Sequence, residues 1–340
     1  MKFLIKQKLW TTVWLTLVIL GVQGTAWADD DDIERIFFFG DSLSDSGNAY
    51  LESGKLTTQP PYTIDEIVPT YPYDIRGFQF SNGKTWARIF AKALETRDSG
   101  KASLKEPRRY TNYAYGGARA RQFGNRPSAV EQLAQYANDF PGSADEEDLY
   151  VIQFGGNDLR DVFAGEGTPE EIISAALQTK AFVIMQLYAK GARNFLVANV
   201  PDISFSPAVK LQVLQDFGLM GAPMVLEGIS NLVKGYNEQL NATLSLLKTY
   251  YPDTRFKQLD FFGILNNVVS NPGKYGISNN VSPCIDYFTL SDQVCDAPDE
   301  YVFWDGTHPT ARVHRIVGEI AAELYDDDED DDEDDDEDGD

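Results

Sequence analysis

The chain has 340 residues, of which 43% are hydrophobic and 12% aromatic, and its 53 acidic residues against 29 lysines and arginines give a net charge of −24. The hydrophobic share is that of a globular chain with a large core, not of a disordered one. The charge excludes nucleic acid as the natural partner, because phosphate binding needs a basic surface.

In chain order, Lys2, Lys6 and Lys8 precede an apolar run from Leu9 to Val22, and Ala26-Trp27-Ala28 offers small residues for cleavage. Residues 1–28 read as a secretory signal peptide, since the run is short for a membrane anchor and carries three threonines. A short acidic run, Asp29 to Asp32, then leads into Ile33 to Phe39, an apolar stretch expected to form a buried first strand. Gly40 breaks it, and Asp41-Ser42-Leu43-Ser44-Asp45 follows. A serine at the carboxyl edge of a sheet lies where open α/β folds bind ligands. Its hydroxyl is a weak nucleophile until a neighbouring base takes the proton. Asp41 and Asp45 are expected to fix the turn through local hydrogen bonds.

Residues 49–85 have no clear period and read as a long loop. Its Tyr62, Tyr71, Tyr73, Phe78 and Phe80 either line a groove for an acyl chain or cover the core. Trp86 to Leu94 has helical spacing, and Tyr110 to Tyr115 reads as a second strand ending in Gly116-Gly117. A helix over 128–140 precedes the strand Leu149 to Phe154, which ends in Gly155-Gly156-Asn157-Asp158. Taken alone, each glycine pair is a turn. Further expectations are a helix at 169–190, a strand at 194–200 closed by Pro201-Asp202, a helix at 224–247, a fifth strand at 255–261 and a last helix at 310–324. Alternating strands and helices imply a parallel five-stranded sheet with helices on both faces, a flavodoxin-like three-layer α/β/α sandwich. With no internal repeat or Gly/Ser linker, residues 29–325 form one domain. No later stretch is expected to span a bilayer.

The base must be one of two histidines, His308 or His314. In Trp304-Asp305-Gly306-Thr307-His308-Pro309, a carboxylate three residues before the imidazole can hold the ring in one tautomer across a glycine turn. His314 falls on the following helix and reads as a packing or surface residue. Cys284 and Cys295 are the only cysteines; in an exported chain an even count suggests a disulfide, with free thiols as the alternative. Asp326 to Asp340 holds 14 carboxylates and no base, and reads as a solvated, disordered tail. It lacks the spacing of a folded calcium loop.

Gly40-Asp41-Ser42-Leu43-Ser44-Asp45, Phe80-Ser81-Asn82-Gly83, Asn112 to Ala118, Gly155-Gly156-Asn157-Asp158, Asn199-Val200-Pro201-Asp202 and Phe303 to Pro309 occur in an order and spacing that resemble the GDSL (SGNH) hydrolases. The resemblance is to their phospholipase/lecithinase/hemolysin-type branch, which includes plant GDSL lipases, and covers Ile33 to Leu324. It implies the SGNH hydrolase fold and an esterase or lipase. Ser42, Asp305 and His308 would be catalytic, and the Ser42 N–H, the Gly117 N–H and the Asn157 amide would hold the oxyanion. Gly116 stands as the reserve for Gly117. It implies no metal or organic cofactor. The expected partner is a small-molecule or lipid ester, with transient contact at a membrane surface. An acyltransferase using the same residues, a carbohydrate deacetylase, and a lipid- or calcium-binding module on a dead scaffold are the rival readings.

Overall fold

The structure is a computed structural model that describes residues 33–54, 67–285 and 294–326. The expected signal peptide, the acidic run before Ile33, Tyr62 and the acidic tail beyond Asp326 lie outside these residues. Strands β1 (Ile36–Gly40), β2 (Leu149–Gln153), β3 (Asn194–Ala198) and β4 (Arg255–Leu259) form a parallel sheet in that order. Every residue of β1 and β2 is buried, because helices cover both faces and leave no side for polar residues.

The helices are α1 (Asn48–Glu52), α2 (Trp86–Ala93), α3 (Ala129–Asp139), α4 (Gly156–Ala164), α5 (Pro169–Lys190), α6 (Pro207–Tyr250), α7 (Phe261–Ser270) and α8 (Ala311–Asp326). Side chains of a strand alternate between faces, and the core divides accordingly. Phe37, Phe39, Tyr150, Ile152, Phe195 and Val197 pack with α3, α5 and α6. Ile36, Phe38, Leu149, Val151, Leu196 and Ala198 pack with α2, α7 and α8. Each large side chain so buried stabilises the fold by about 1.5–3 kcal/mol. α5 is long and apolar enough to cross a membrane by length and composition, contrary to expectation from the sequence. Here it packs on the sheet through Val183, Ile184 and Leu187.

The fifth strand position, outside β1, is only partly formed. The Phe38 N–H donates to Thr111 O, the Tyr113 N–H to Phe38 O and the Tyr115 N–H to Gly40 O, so residues 111–115 run parallel to β1. This gives the expected flavodoxin-like order, with that segment beside β1. Regular pairing stops at one bridge because side chains take the remaining groups of β1. The Ile36 N–H donates to Ser99 Oγ, and the Thr111 hydroxyl donates to Ile36 O. At Gly40 the Gln132 amide does both jobs, accepting from the N–H at 2.9 Å and donating to the carbonyl at 2.9 Å.

α4 and α7 are helices where loops or strand ends were expected. α4 follows a glycine at φ 125 that read as a turn, and α7 is a short helix whose start is capped by Asp260, which accepts from the Gly263 N–H. α6 begins well before residue 224. At Gly218 the backbone leaves helical geometry (φ 65, ψ 178), a left-handed φ that a side chain would resist.

A small parallel pair, β5 (Asn279–Pro283) and β6 (Tyr301–Phe303), adjoins the site. Cys284 and Cys295 are joined by a disulfide, as the cysteine count suggested. The Cys284 N–H donates to Phe303 O and the Ile285 N–H to Trp304 O, so the bridged segment is paired to the strand that leads into Asp305.

Candidate active site

Ser42 sits in the first turn after β1. The Ser44 and Asp45 N–H groups both donate to Asp41 O, which closes that turn, and Asp41 Oδ1 accepts from the Leu43 N–H at 3.0 Å. The fully buried Asp45 accepts from the N–H groups of Gly47, Asn48, Ala49 and Gly116 at 2.7–3.1 Å. Both aspartates therefore fix the turn, as expected. Burial pushes each carboxyl up to about 6, while these hydrogen bonds pull the other way.

The second half of the site is the turn after β6. Asp305 is fully buried, and its Oδ1 accepts from the Thr307 and His308 N–H groups, each at 2.6 Å. Its Oδ2 lies 2.6 Å from His308 Nδ1, leaving Nε2 as the ring atom available for chemistry. Oδ2 also accepts from the Tyr73 hydroxyl at 2.9 Å. The His308 ring rests on Phe80 at 5.1 Å between centroids, Ser81 Oγ donates to Pro309 O, and Asn82 Oδ1 accepts from the Ala311 N–H. The 80–82 segment thus holds the histidine turn from outside. Tyr73→Phe removes one donor to Asp305 and should lower kcat/KM about twofold to tenfold with the melting temperature little changed. Steady-state kinetics beside a thermal melt checks this, and an unchanged kcat/KM refutes the role.

His314 is not a surface residue. It is 2% exposed, its Nδ1 accepts from the Trp86 N–H at the start of α2, and burial pushes the ring down to about 3. It stays neutral, and its removal acts on stability.

Asn157 lies in the first turn of α4. One amide hydrogen goes to Ala118 O at 2.9 Å, and Oδ1 accepts from Arg160 Nη1 at 2.8 Å. The amide retains a second hydrogen to donate. The Gly117 and Ser42 N–H groups have no hydrogen-bond partner among the described residues. Gly117 has φ 79, a left-handed value that glycine adopts without strain. The N–H of Gly116, the reserve choice, donates to Asp45, and a Cβ there would stand 2.0 Å from the Phe80 ring.

The two loops are tied together. Asp158 accepts from the Ala120 and Arg121 N–H groups, and Asp161 pairs with Arg119 at 2.7 and 3.0 Å, both side chains buried. Arg119 Nη1 in turn donates to Gly117 O at 2.8 Å. Beneath them, the buried Lys180 ammonium donates to Phe154 O at the end of β2. Burial pushes it down to about 8, and Asp158 and Asp41 pull it back up.

Residues 36–321 match the sequence profile of the GDSL-like lipase/acylhydrolase family. The chain belongs to this family. Among its relatives are two GDSL esterase/lipases of Arabidopsis thaliana, each 26% identical; one alignment covers 91% of both chains, the other 91% of this chain and 92% of the relative. A thermolabile hemolysin of Vibrio parahaemolyticus is also 26% identical, over 87% of this chain and 66% of its own. As a GDSL esterase/lipase, the protein is a hydrolase of carboxylic esters.

This GDSL hydrolase has a cavity of about 710 Å³ that the sequence did not disclose. Ser42, Asn157, Arg160, Thr307 and His308 are among its polar lining, with Asp41, Asp202, Ser206, Gln212, Asp216 and His314. Apolar lining comes from α6 (Val209, Val213, Val225, Ile229), from α7 (Phe261, Ile264, Leu265) and from β6 and α8 (Phe303, Val313, Val317). Of the loop aromatics expected to form a groove, the four among the described residues do not line it. Tyr71 is exposed, Phe78 stacks on Tyr50, and Tyr73 and Phe80 are buried with Trp304 over the histidine turn. Tyr73 and Phe80 cover the core, the other reading of that loop, and in addition hold the histidine turn.

Proposed function

We propose that this protein is an exported serine esterase acting on lipid esters with a long acyl chain, and that Ser42, His308 and Asp305 are its catalytic set. Ser42 Oγ attacks the ester carbonyl as His308 Nε2 takes its proton, and Asp305 Oδ2 stabilises the imidazolium through Nδ1–H. The tetrahedral oxygen accepts from the Ser42 N–H, the Gly117 N–H and the Asn157 amide. Collapse expels the alcohol, which leaves with the proton from His308. Water then attacks the acyl-enzyme by the same route and releases the acid.

The observation that carries this reading is that Ser42 and the paired His308 line one cavity whose walls are mostly apolar. An apolar cavity suits an acyl chain and not an acetylated sugar, which needs polar partners. The Arabidopsis esterase/lipases and the Vibrio hemolysin support the substrate class. Export rests on the amino-terminal signal pattern and on a disulfide, which persists in oxidising compartments.

A series of 4-nitrophenyl esters from acetyl to palmitoyl tests the proposal. Catalytic efficiency should rise at least about tenfold from acetyl to medium chains, since each buried methylene is worth about 1–3 kcal/mol. A serine-directed organophosphonate should stop it. Acetyl esters as the best substrates, or turnover untouched by the phosphonate, would overturn it.

A further inference from the structure

The elbow of α6 at Gly218 is built unlike the rest of the surface. Phe217, Leu219, Met220 and Met224 are 56%, 82%, 96% and 73% exposed. From Phe217 to Leu226 the chain reads FGLMGAPMVL, with no charged residue, in a protein of net charge −24. Large exposed apolar side chains gathered at one bend mark an interaction surface. Immediately before it, Val209, Gln212, Val213 and Asp216 recur at helical spacing and line the active-site cavity, and Phe217 and Val225 belong to both cavity wall and elbow. Through Phe217 and Val225 the elbow is thus continuous with the cavity wall, whose side here carries Gln212 and Asp216 beside the apolar Val209 and Val213. Gly218 makes the bend, and nothing lies within 4 Å of where its Cβ would be.

We propose that this elbow docks on the surface of a lipid aggregate, so that an acyl chain passes from the lipid phase into the cavity without crossing water. The inference rests on the lipid-ester reading of the same site. Charge selects the occupant. The chain as a whole repels an anionic surface, whereas an uncharged elbow enters a zwitterionic or neutral one without desolvating an ion. Leu219, Met220 and Met224 are absent from the cavity lining, so they serve docking and not the chemistry.

The test uses full-length protein carrying Ser42→Ala, so that lipid is not consumed, sedimented with phosphatidylcholine vesicles. It is compared with the same protein carrying Leu219→Asp and Met220→Asp. The parent should bind, and the substitutions should weaken the partition coefficient at least about tenfold, since each side chain loses its burial in lipid. Mixing phosphatidylserine into the vesicles should weaken binding of the parent. In active protein, the two substitutions should leave turnover of dissolved 4-nitrophenyl acetate unchanged, which also reports an intact fold, and should slow hydrolysis of vesicle-embedded esters. No binding by the parent, or equal binding by both, overturns the inference. A dimer in gel filtration that the substitutions dissociate also overturns it, by assigning the elbow to a second copy of the chain. Failure to hydrolyse 4-nitrophenyl acetate strikes the esterase reading instead, and leaves the vesicle result to be judged by itself.

Discussion

Ser42→Ala should reduce kcat by about 10⁶, to near background, and His308→Ala should do the same. The serine forms the covalent bond and the histidine carries its proton, so losing either stops one concerted step. Combining both substitutions should then cost little more than one. Asp305→Asn separates orientation from proton transfer. The buried carboxylate accepts from Thr307 N–H, His308 N–H, His308 Nδ1 and Tyr73. An amide facing Nδ1 would impose the wrong tautomer, a change that costs about 10⁴ in triads of this type. Steady-state kinetics on a soluble ester, with melting curves for each variant, provides the check. Retention of more than about one hundredth of kcat in Ser42→Ala would remove the proposed nucleophile.

Asn157→Ala should lower kcat by about 10²–10³, equivalent to roughly 2.7–4 kcal/mol of transition-state stabilisation, with KM little altered. The amide acts on the charged oxygen that develops in the transition state, not on the bound ester. The same substitution also removes the hydrogen bond to Ala118 O, so a stability loss of about 1 kcal/mol should accompany it. The two effects separate because one appears in kcat and the other in the melting temperature. A fall smaller than tenfold in kcat would mean that the Ser42 and Gly117 N–H groups carry the oxyanion without it.

Both halves of the proposed site were legible because each depends on a short, local turn. A serine just past a buried strand and an aspartate three residues before a histidine each occupy a few consecutive positions, and the structure folds each as a turn. The cavity was not legible, since its walls come from α6, α7, β6 and α8, and no single stretch carries its pattern. The first half of α6 was missed because Gly218 and Pro223 interrupt the helical period between its two halves. The aromatic loop left two readings open for another reason. Tyr73 and Phe80 look like groove residues by type, yet one hydrogen-bonds Asp305 and the other supports the His308 ring. The sheet was legible in its order but not in the pairing of its fifth member, because Ser99 and Gln132 compete for β1 from distant positions.

That competition at Gly40 has a mechanical outcome. With Gln132 bonded to both its N–H and its carbonyl, the residue before the turn that carries Ser42 is anchored to α3 and not only to the neighbouring chain. Solvent reaches that amide when α3 lifts away, whereas fraying of residues 114–117 leaves it shielded. Opening at the end of β1, just before Ser42, therefore requires movement of α3 as well as of the segment beside it.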